Sequence, residues 1–271
     1  MLSLLLSALV ACNTVAGEDF IVHNANDLVK LSTIVNLGAS FKGETVYLEN
    51  DIEFTKELSD AFEPIGKLGT NSFQGTFDGR GHKISGLTIN TTTEYIGLFG
   101  NAQECTIRNV VVDRSCSMVN PGVEEDTLTY IGGIVGSLNA GETIPYFVEN
   151  CVNMMNLIYK NAADALVDMG GIAGGLHTYV EGCVIRNCIN YGQITFNIGG
   201  PMASLYMGGI VGEGGVMFQT GSTEIKDCIN YGDITYDGPE ITFSNFGGII
   251  GYSGWVRMTN CTNYGKVSGK N

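Results

Sequence analysis

Three tyrosines recur in this chain with nearly the same neighbours. Tyr191, Tyr231 and Tyr264 each fall three residues after a cysteine, in "NCINYG", "DCINYG" and "NCTNYG". Met154 holds the equivalent place in an earlier copy. A tyrosine joins an apolar ring to a polar tip, so an outward row of them suits binding, to sugar rings or to a protein partner. The same row stacked at a structural corner is the plainer reading, and spacing does not separate the two. Loops between repeat units are the other contact surface on offer.

Residues that could break bonds are sparse. His23, His82 and His177 lie far apart with no ligand spacing. There is no His-Glu-x-x-His, no Gly-Lys-Ser/Thr phosphate loop and no Gly-x-Ser-x-Gly elbow. "GEGG" at 212–215 reads as a glycine cluster in a loop. Asp51, Glu53, Asp78 and Asp113 could converge as the paired carboxylates of a polysaccharide lyase or hydrolase, but none recurs as a paired motif. With no Cys-x-x-Cys, the cysteines do not suggest a metal site. The chain therefore reads as non-catalytic, with no cofactor and no metal.

The elements that must hold these residues are written by repetition. One block appears as "IGLFG" at 96–100, then "GGIVG", "GGIAG", "GGIVG" and "GGIIG", its last glycine at 100, 136, 174, 212 and 251. A second block follows each: "IRNVVVD", "VENCVNM", "IRNCINYG", "IKDCINYG" and "MTNCTNYG". Each unit holds about three short β-type segments, none long enough for a helix. A strand so short gains a full hydrogen-bond ladder only by stacking on its counterpart about 4.8 Å away, which is the logic of a solenoid. In that stack Cys151, Cys188, Cys228 and Cys261 share one column with Val110 and read as small core residues with free thiols, ladder disulfides being the alternative. Asn109, Asn150, Asn187, Asp227 and Asn260 form a bend column, and Asn153, Asn190, Asn230 and Asn263 a third. The glycines serve either turning or close approach, and the sequence leaves that open.

Composition agrees. The chain has 271 residues, 38 of them glycine, and a formal charge of −14. Acidity disfavours nucleic acid and anionic lipid as partners. Residues 1–17 read as a signal peptide, too short in its apolar run to span a bilayer. Leu9-Val10-Ala11-Cys12 also resembles a lipobox, which would anchor the chain through a lipid on Cys12. No second apolar run suggests a membrane span. Asn90 and Asn260 open glycosylation sequons. Seven cysteines remain after Cys12, an odd number, so at least one is free or pairs between chains.

Residues 18–60 read as an N-terminal cap and 61–271 as the repeat. Within the cap, Leu28, Leu31, Ile34, Val35 and Leu37 mark one face of a helix over 24–38, with Asn26 to start it and Gly38 to end it. An amphipathic helix there would cover the open end of a solenoid. After Lys270-Asn271 no second cap follows, so that edge is expected to be covered by a partner, or the chain is a piece of a longer product.

"VNLGASFKGETVYLENDIEF", "FEPIG", "FQGTFDGRGHKISGLTI" and "YIGLFG" together resemble the GLUG-motif proteins, named for the block that is Gly97-Leu98-Phe99-Gly100 here. The resemblance runs from about residue 24 to the end. It implies an all-β, right-handed parallel β-helix in a secreted or cell-surface, adhesin-like protein; similar segments form the non-catalytic part of some IgA-specific metallopeptidases. Units near 38 residues, with long loops at 159–168 and 197–205, depart from the family pattern, as does the Asn-Cys-x-Asn-Tyr-Gly wording. The expected function is non-catalytic adhesion to, or recognition of, a host or matrix glycan or protein. A structural surface module without its own ligand is the first alternative, a β-helical carbohydrate-active enzyme the second.

Overall fold

Each repeat unit closes one coil, and the coil has five straight segments rather than three. In the computed structural model, which describes residues 19–121, 128–161, 166–198, 204–215, 222–238, 241 and 243–269, the strands form five sheets of eight, seven, six, five and five strands. We call them sheets I to V in the order the chain visits them. One coil supplies Phe147–Glu149 to sheet I, Val152–Asn153 to II, Asn156–Asn161 to III, Leu166–Gly170 to IV and Ala173–His177 to V. The next coil begins at Cys183–Arg186. Each strand pairs in parallel with its counterpart one coil on: Val148 with Ile185, Asn153 with Asn190, Met169 with Met207. The fold is a parallel β-helix, as the repeat requires. The expected loops are shorter than the sequence implied, because 159–161, 166–168, 197–198 and 204–205 lie within strands. What remains of them, 162–165 and 199–203, lies outside the described residues, as do 1–18 with Cys12 and the terminal Lys270-Asn271.

Three corners explain the repeated letters. Between sheets I and II, Asn109, Asn150, Asn187, Asp227 and Asn260 all have φ of 52–55°. That left-handed conformation suits Asn and Asp because a short polar side chain bonds locally. Their side chains also bond up the column, Asn150 Nδ2 donating to Asn109 Oδ1 at 3.1 Å and Asn187 Nδ2 to Asn150 Oδ1 at 3.2 Å. The cysteines that follow are buried with free thiols, Cys261 in the last coil being only partly covered.

At the next corner the third column turns inward. Asn153 Nδ2 donates to Asn190 Oδ1 at 2.9 Å, Asn190 to Asn230 and Asn230 to Asn263 at 2.8 Å each. Each amide also closes its own turn: Asn190 Nδ2 donates to Gly192 O at 2.9 Å and Gly192 N to Asn190 Oδ1 at 3.2 Å. Asn153, Asn190 and Asn230 are fully buried, and this pairing satisfies them. The glycines between sheets IV and V answer the question left open. A methyl group at Gly133, Gly171 or Gly209 would overlap the amide of Asn153, Asn190 or Asn230 across the coil. Close approach is their duty, and it couples the two repeated blocks.

Helix α1 (Ala25–Asn36) closes the N-terminal end and buries Leu28, Leu31 and Val35. Its N-cap is Asn24, whose side chain accepts from Asp27 N, rather than Asn26; Leu37, expected on the apolar face, is exposed. A second helix, α2 (Lys56–Ala61), was not legible in the sequence. It meets the first strand of sheet III through Ser59 Oγ, which accepts from Thr88 N at 2.7 Å and donates to Thr88 O at 3.2 Å. The strands of this segment, Phe20–Val22 and Thr45–Leu48, already pair within sheet I. The opposite end of the stack is bare among the described residues: Ile225 is fully buried, while its partner one coil on, Met258, is 52% exposed.

Candidate functional site

The structure brings the three tyrosines together. Tyr191 stacks on Tyr231 with ring centroids 4.9 Å apart and planes 4° apart, and Tyr231 on Tyr264 at 5.0 Å and 11°. All three are exposed, between 43% and 67%. The register explains the ladder. Ile189 points outward, Asn190 inward and Tyr191 outward again, and the coil repeat places Tyr on Tyr. Beside it runs a partly exposed column of Val111, Val152, Ile189 and Ile229 on sheet II. Stacking also changes what the tyrosines can offer. Their interior faces cover one another, so the ladder presents ring edges and hydroxyls rather than the flat platform a sugar ring would need.

Of the four carboxylates considered from sequence, Asp51, Asp78 and Asp113 serve locally, and Glu53 is exposed. Asp51 accepts from Lys83 N at 3.1 Å and faces His82 Nδ1 at 3.2 Å. Asp78 accepts from Asn109 Nδ2 at 2.9 Å, Arg80 N at 2.9 Å and Arg108 Nε at 3.0 Å. Burial works against its charge, but these partners outweigh it and hold its carboxyl below the usual range. Asp113 holds Ser115 N at 3.0 Å. None of these contacts joins one of these carboxylates to another. Among the described residues no group of three His, Cys, Asp or Glu could hold a metal ion.

A different pair of acids was missed. Sheets IV and V meet at the glycine corner with their outer faces folded toward each other. The outer column of sheet IV reads Tyr95, Tyr130, Asp168, Tyr206, Asn245, and that of sheet V reads Asn101, Ser137, Gly175, Glu213, Tyr252. Residues pair across this fold from one coil to the next. The ring of Tyr130 fills the space a side chain at Gly175 would take. Asp168 is set against Glu213, and each acts on the other's ionisation. Tyr206 stacks on Tyr252 at 4.9 Å. Asp168 and Glu213 are 2% and 5% exposed. Burial, then the neighbouring carboxyl, raises Asp168 well above the ordinary range; burial also raises Glu213. Two buried carboxyls so placed resist ionising together. The sequence suggests loop at both residues, Glu213 within "GEGG", whereas Leu166–Gly170 and Val211–Gly214 are strands of sheets IV and V. Asp168 stands two residues before one glycine block and Glu213 directly follows another, which marks each position in its coil but not their meeting.

The glycosylation candidates differ in availability. Asn90 is exposed at the end of a sheet III strand. Asn260 is exposed too, but its Nδ2 donates to Asp227 Oδ1 at 3.2 Å.

No protein-family model and no curated protein matches the chain. Among solved structures, one from Bacteroides ovatus, described as a "putative immunoglobulin A1 protease", is similar at a TM-score of 0.56. It is 19% identical and covers 93% of this chain and 78% of that one. The likeness is one of fold.

Proposed function

We propose that this chain is a non-catalytic recognition protein of the cell exterior, of the GLUG type its motifs resemble, binding a host or matrix protein or glycan. The observation that carries the reading is the Tyr191–Tyr231–Tyr264 ladder beside the Val/Ile column of sheet II. Together they make an exposed, regular surface with apolar area and a line of hydroxyls, and Tyr is enriched where proteins meet. Ring edges rather than faces favour a flat macromolecular partner over a single stacked sugar. The exposed apolar residues Met258 and Val267 on the coil of residues 244–269 are a second surface for association.

The enzymatic alternative has less support. Glycoside hydrolases hold their two carboxyls about 5 Å or more apart. Asp168 and Glu213 are both buried, 2% and 5% exposed, which leaves a polysaccharide no access to them. A module with no ligand of its own accounts for the ladder as a corner stack but leaves its exposure without a use. The name of the Bacteroides ovatus protein supplies one partner worth testing, immunoglobulin A1.

The test is a screen of residues 18–271 against arrayed glycans, matrix proteins and immunoglobulin A1, with a Tyr191/Tyr231/Tyr264→Ala variant beside it. Saturable binding that the variant loses is the expected outcome. Binding that the variant keeps would move the site elsewhere. Silence on every target, with soluble polysaccharide cleaved, would turn the reading to the enzyme.

A further inference from the structure

Beside the buried acids, the same fold of sheet IV against sheet V opens into a cavity of about 330 Å³. Its walls include Tyr95, Tyr130, Gln103, Asn139, His177 and Tyr179. Tyr95 and Tyr130 are stacked at 5.8 Å, and the Tyr130 ring meets His177 edge-on at 5.2 Å. Gln103, Asn139 and His177 are register partners on three successive coils of sheet V. They form a row of hydrogen-bonding side chains with the coil repeat of about 4.8 Å.

Several of these groups are held in place yet lack partners. Asn139 Nδ2 donates to Asn101 Oδ1 at 2.7 Å and to Ser137 Oγ at 3.2 Å, and Asn101 Nδ2 donates to Gly69 O at 3.2 Å. This chain of amides fixes Asn139 and leaves its Oδ1 without a donor among the described residues. The Gln103 amide, both ring nitrogens of His177 and the hydroxyls of Tyr95 and Tyr130 likewise have no hydrogen-bond partner there. Polar groups left open to solvent in this way are completed by water or by a ligand that matches them.

The lining selects among ligands. It contains no Lys, Arg, Asp or Glu. Burial also keeps His177 neutral, its pKa pushed down to about 4, so it offers one donor and one acceptor. The charges felt at its tyrosines are all acidic, Asp168 and Glu213 behind Tyr130 and Glu94 beside Tyr95, in a chain of net charge −14. Anions are therefore disfavoured. A purely apolar ligand would leave the amides and imidazole unpaired. A peptide strand would seek a sheet edge, and this cavity lies between sheet faces. Amides and a neutral imidazole serve hydroxyls that donate and accept at once, while tyrosine rings pack against C–H faces.

We propose that the cavity bounded by Tyr95, Tyr130, Gln103, Asn139, His177 and Tyr179 is a binding site for an uncharged saccharide, separate from the tyrosine ladder. It stands whether or not the ladder binds anything. The test uses residues 18–271 on an array of neutral, sialylated and sulfated glycans, followed by calorimetry with the strongest neutral glycan. Three variants accompany it: Gln103→Ala, Tyr179→Ala at the exposed rim, and the Tyr191/Tyr231/Tyr264→Ala ladder variant, each checked for native circular dichroism. Neutral glycans should bind, with sialylated or sulfated forms at least tenfold weaker. Gln103→Ala and Tyr179→Ala should each raise the Kd at least fivefold, and the ladder variant should leave it unchanged. The His177 ring resonances should shift on titration. Absence of binding at millimolar glycan, preference for anionic glycans, binding of peptides alone, or a Kd moved only by the ladder variant would each overturn the assignment.

Discussion

At the scale of single residues, the acid pair makes the stability of this protein depend on pH. Asp168 and Glu213 have raised folded-state pKa values, so the native state holds more protons than the unfolded chain above the ordinary carboxyl range. Stability is then full at low pH for this pair and falls as pH rises toward the folded values. Asp168→Asn keeps a donor for Glu213 and removes the second ionisation. It should raise stability at pH 8 by about 1–3 kcal/mol, the cost of an ill-satisfied buried group, and flatten the alkaline slope. Urea midpoints between pH 5 and 9 would show this, and an unchanged slope would remove the acid pair from the account. His177 works in the other direction. Its folded pKa lies near 4, below that of an ordinary histidine, so stability falls as pH drops from about 6.5 toward 4. Cysteine reactivity is a separate residue-scale matter. Burial pushes Cys105 up to about 12 and Cys116 up to about 11, and it raises Cys188 as well. Within the Cys188–Cys228–Cys261 column neighbouring thiols lower Cys228 and raise Cys261, so access rather than ionisation decides. Iodoacetamide at pH 8 should label the partly exposed Cys261 first and leave the six buried thiols intact until unfolding, as peptide mass spectrometry would read out.

At the scale of elements, the strands are too short to stand alone, and their stability comes from the columns between them. The asparagine ladder is one such column, and the glycine corner facing it is cut to fit. Gly171→Ala would push a methyl group into the Asn190 amide and should destabilise the protein by about 1–3 kcal/mol, as overpacking does. Position along the ladder should matter as well. Asn190 is bonded on both sides and within its own turn, whereas Asn263 ends the ladder and is exposed. Asn190→Ala should therefore cost at least about 2 kcal/mol and Asn263→Ala well under half of that. Equal losses in denaturant titrations would show that the ladder carries little energy beyond its turns.

At the scale of the whole molecule, the two ends are unlike. Helices α1 and α2 shield the N-terminal end, while the last coil presents Met258, Val267 and Cys261, whose counterparts one coil earlier are buried. Phe243, Trp255 and Tyr264 are exposed in the same region. Open strand edges beside apolar surface invite pairing. Light scattering of residues 18–271 should find association that grows with concentration, and Met258→Lys with Val267→Lys should suppress it while leaving circular dichroism unchanged. A strict monomer at high concentration would rule out self-pairing at this edge.

The sequence by itself determined the solenoid. A repeat near 38 residues, with Asn, Cys and Asn in fixed register, allows few structures other than stacked coils, because identical short strands are stable only against their own copies. It also placed the left-handed Asn corner, the buried thiols and the tyrosine column, since each follows from one position repeating. Only the tertiary structure decided how the coil bends between those positions. Five segments per coil, the inward turn of Asn190 and the folding of sheet IV against sheet V depend on contacts across the coil, which no local pattern records. Asp168 and Glu213 were therefore invisible as a pair: they stand in different repeats, on different sheets, and neither recurs. Their meeting depends on the close approach that the corner glycines permit, and on the one-coil offset that sets each sheet IV side chain against the next coil of sheet V.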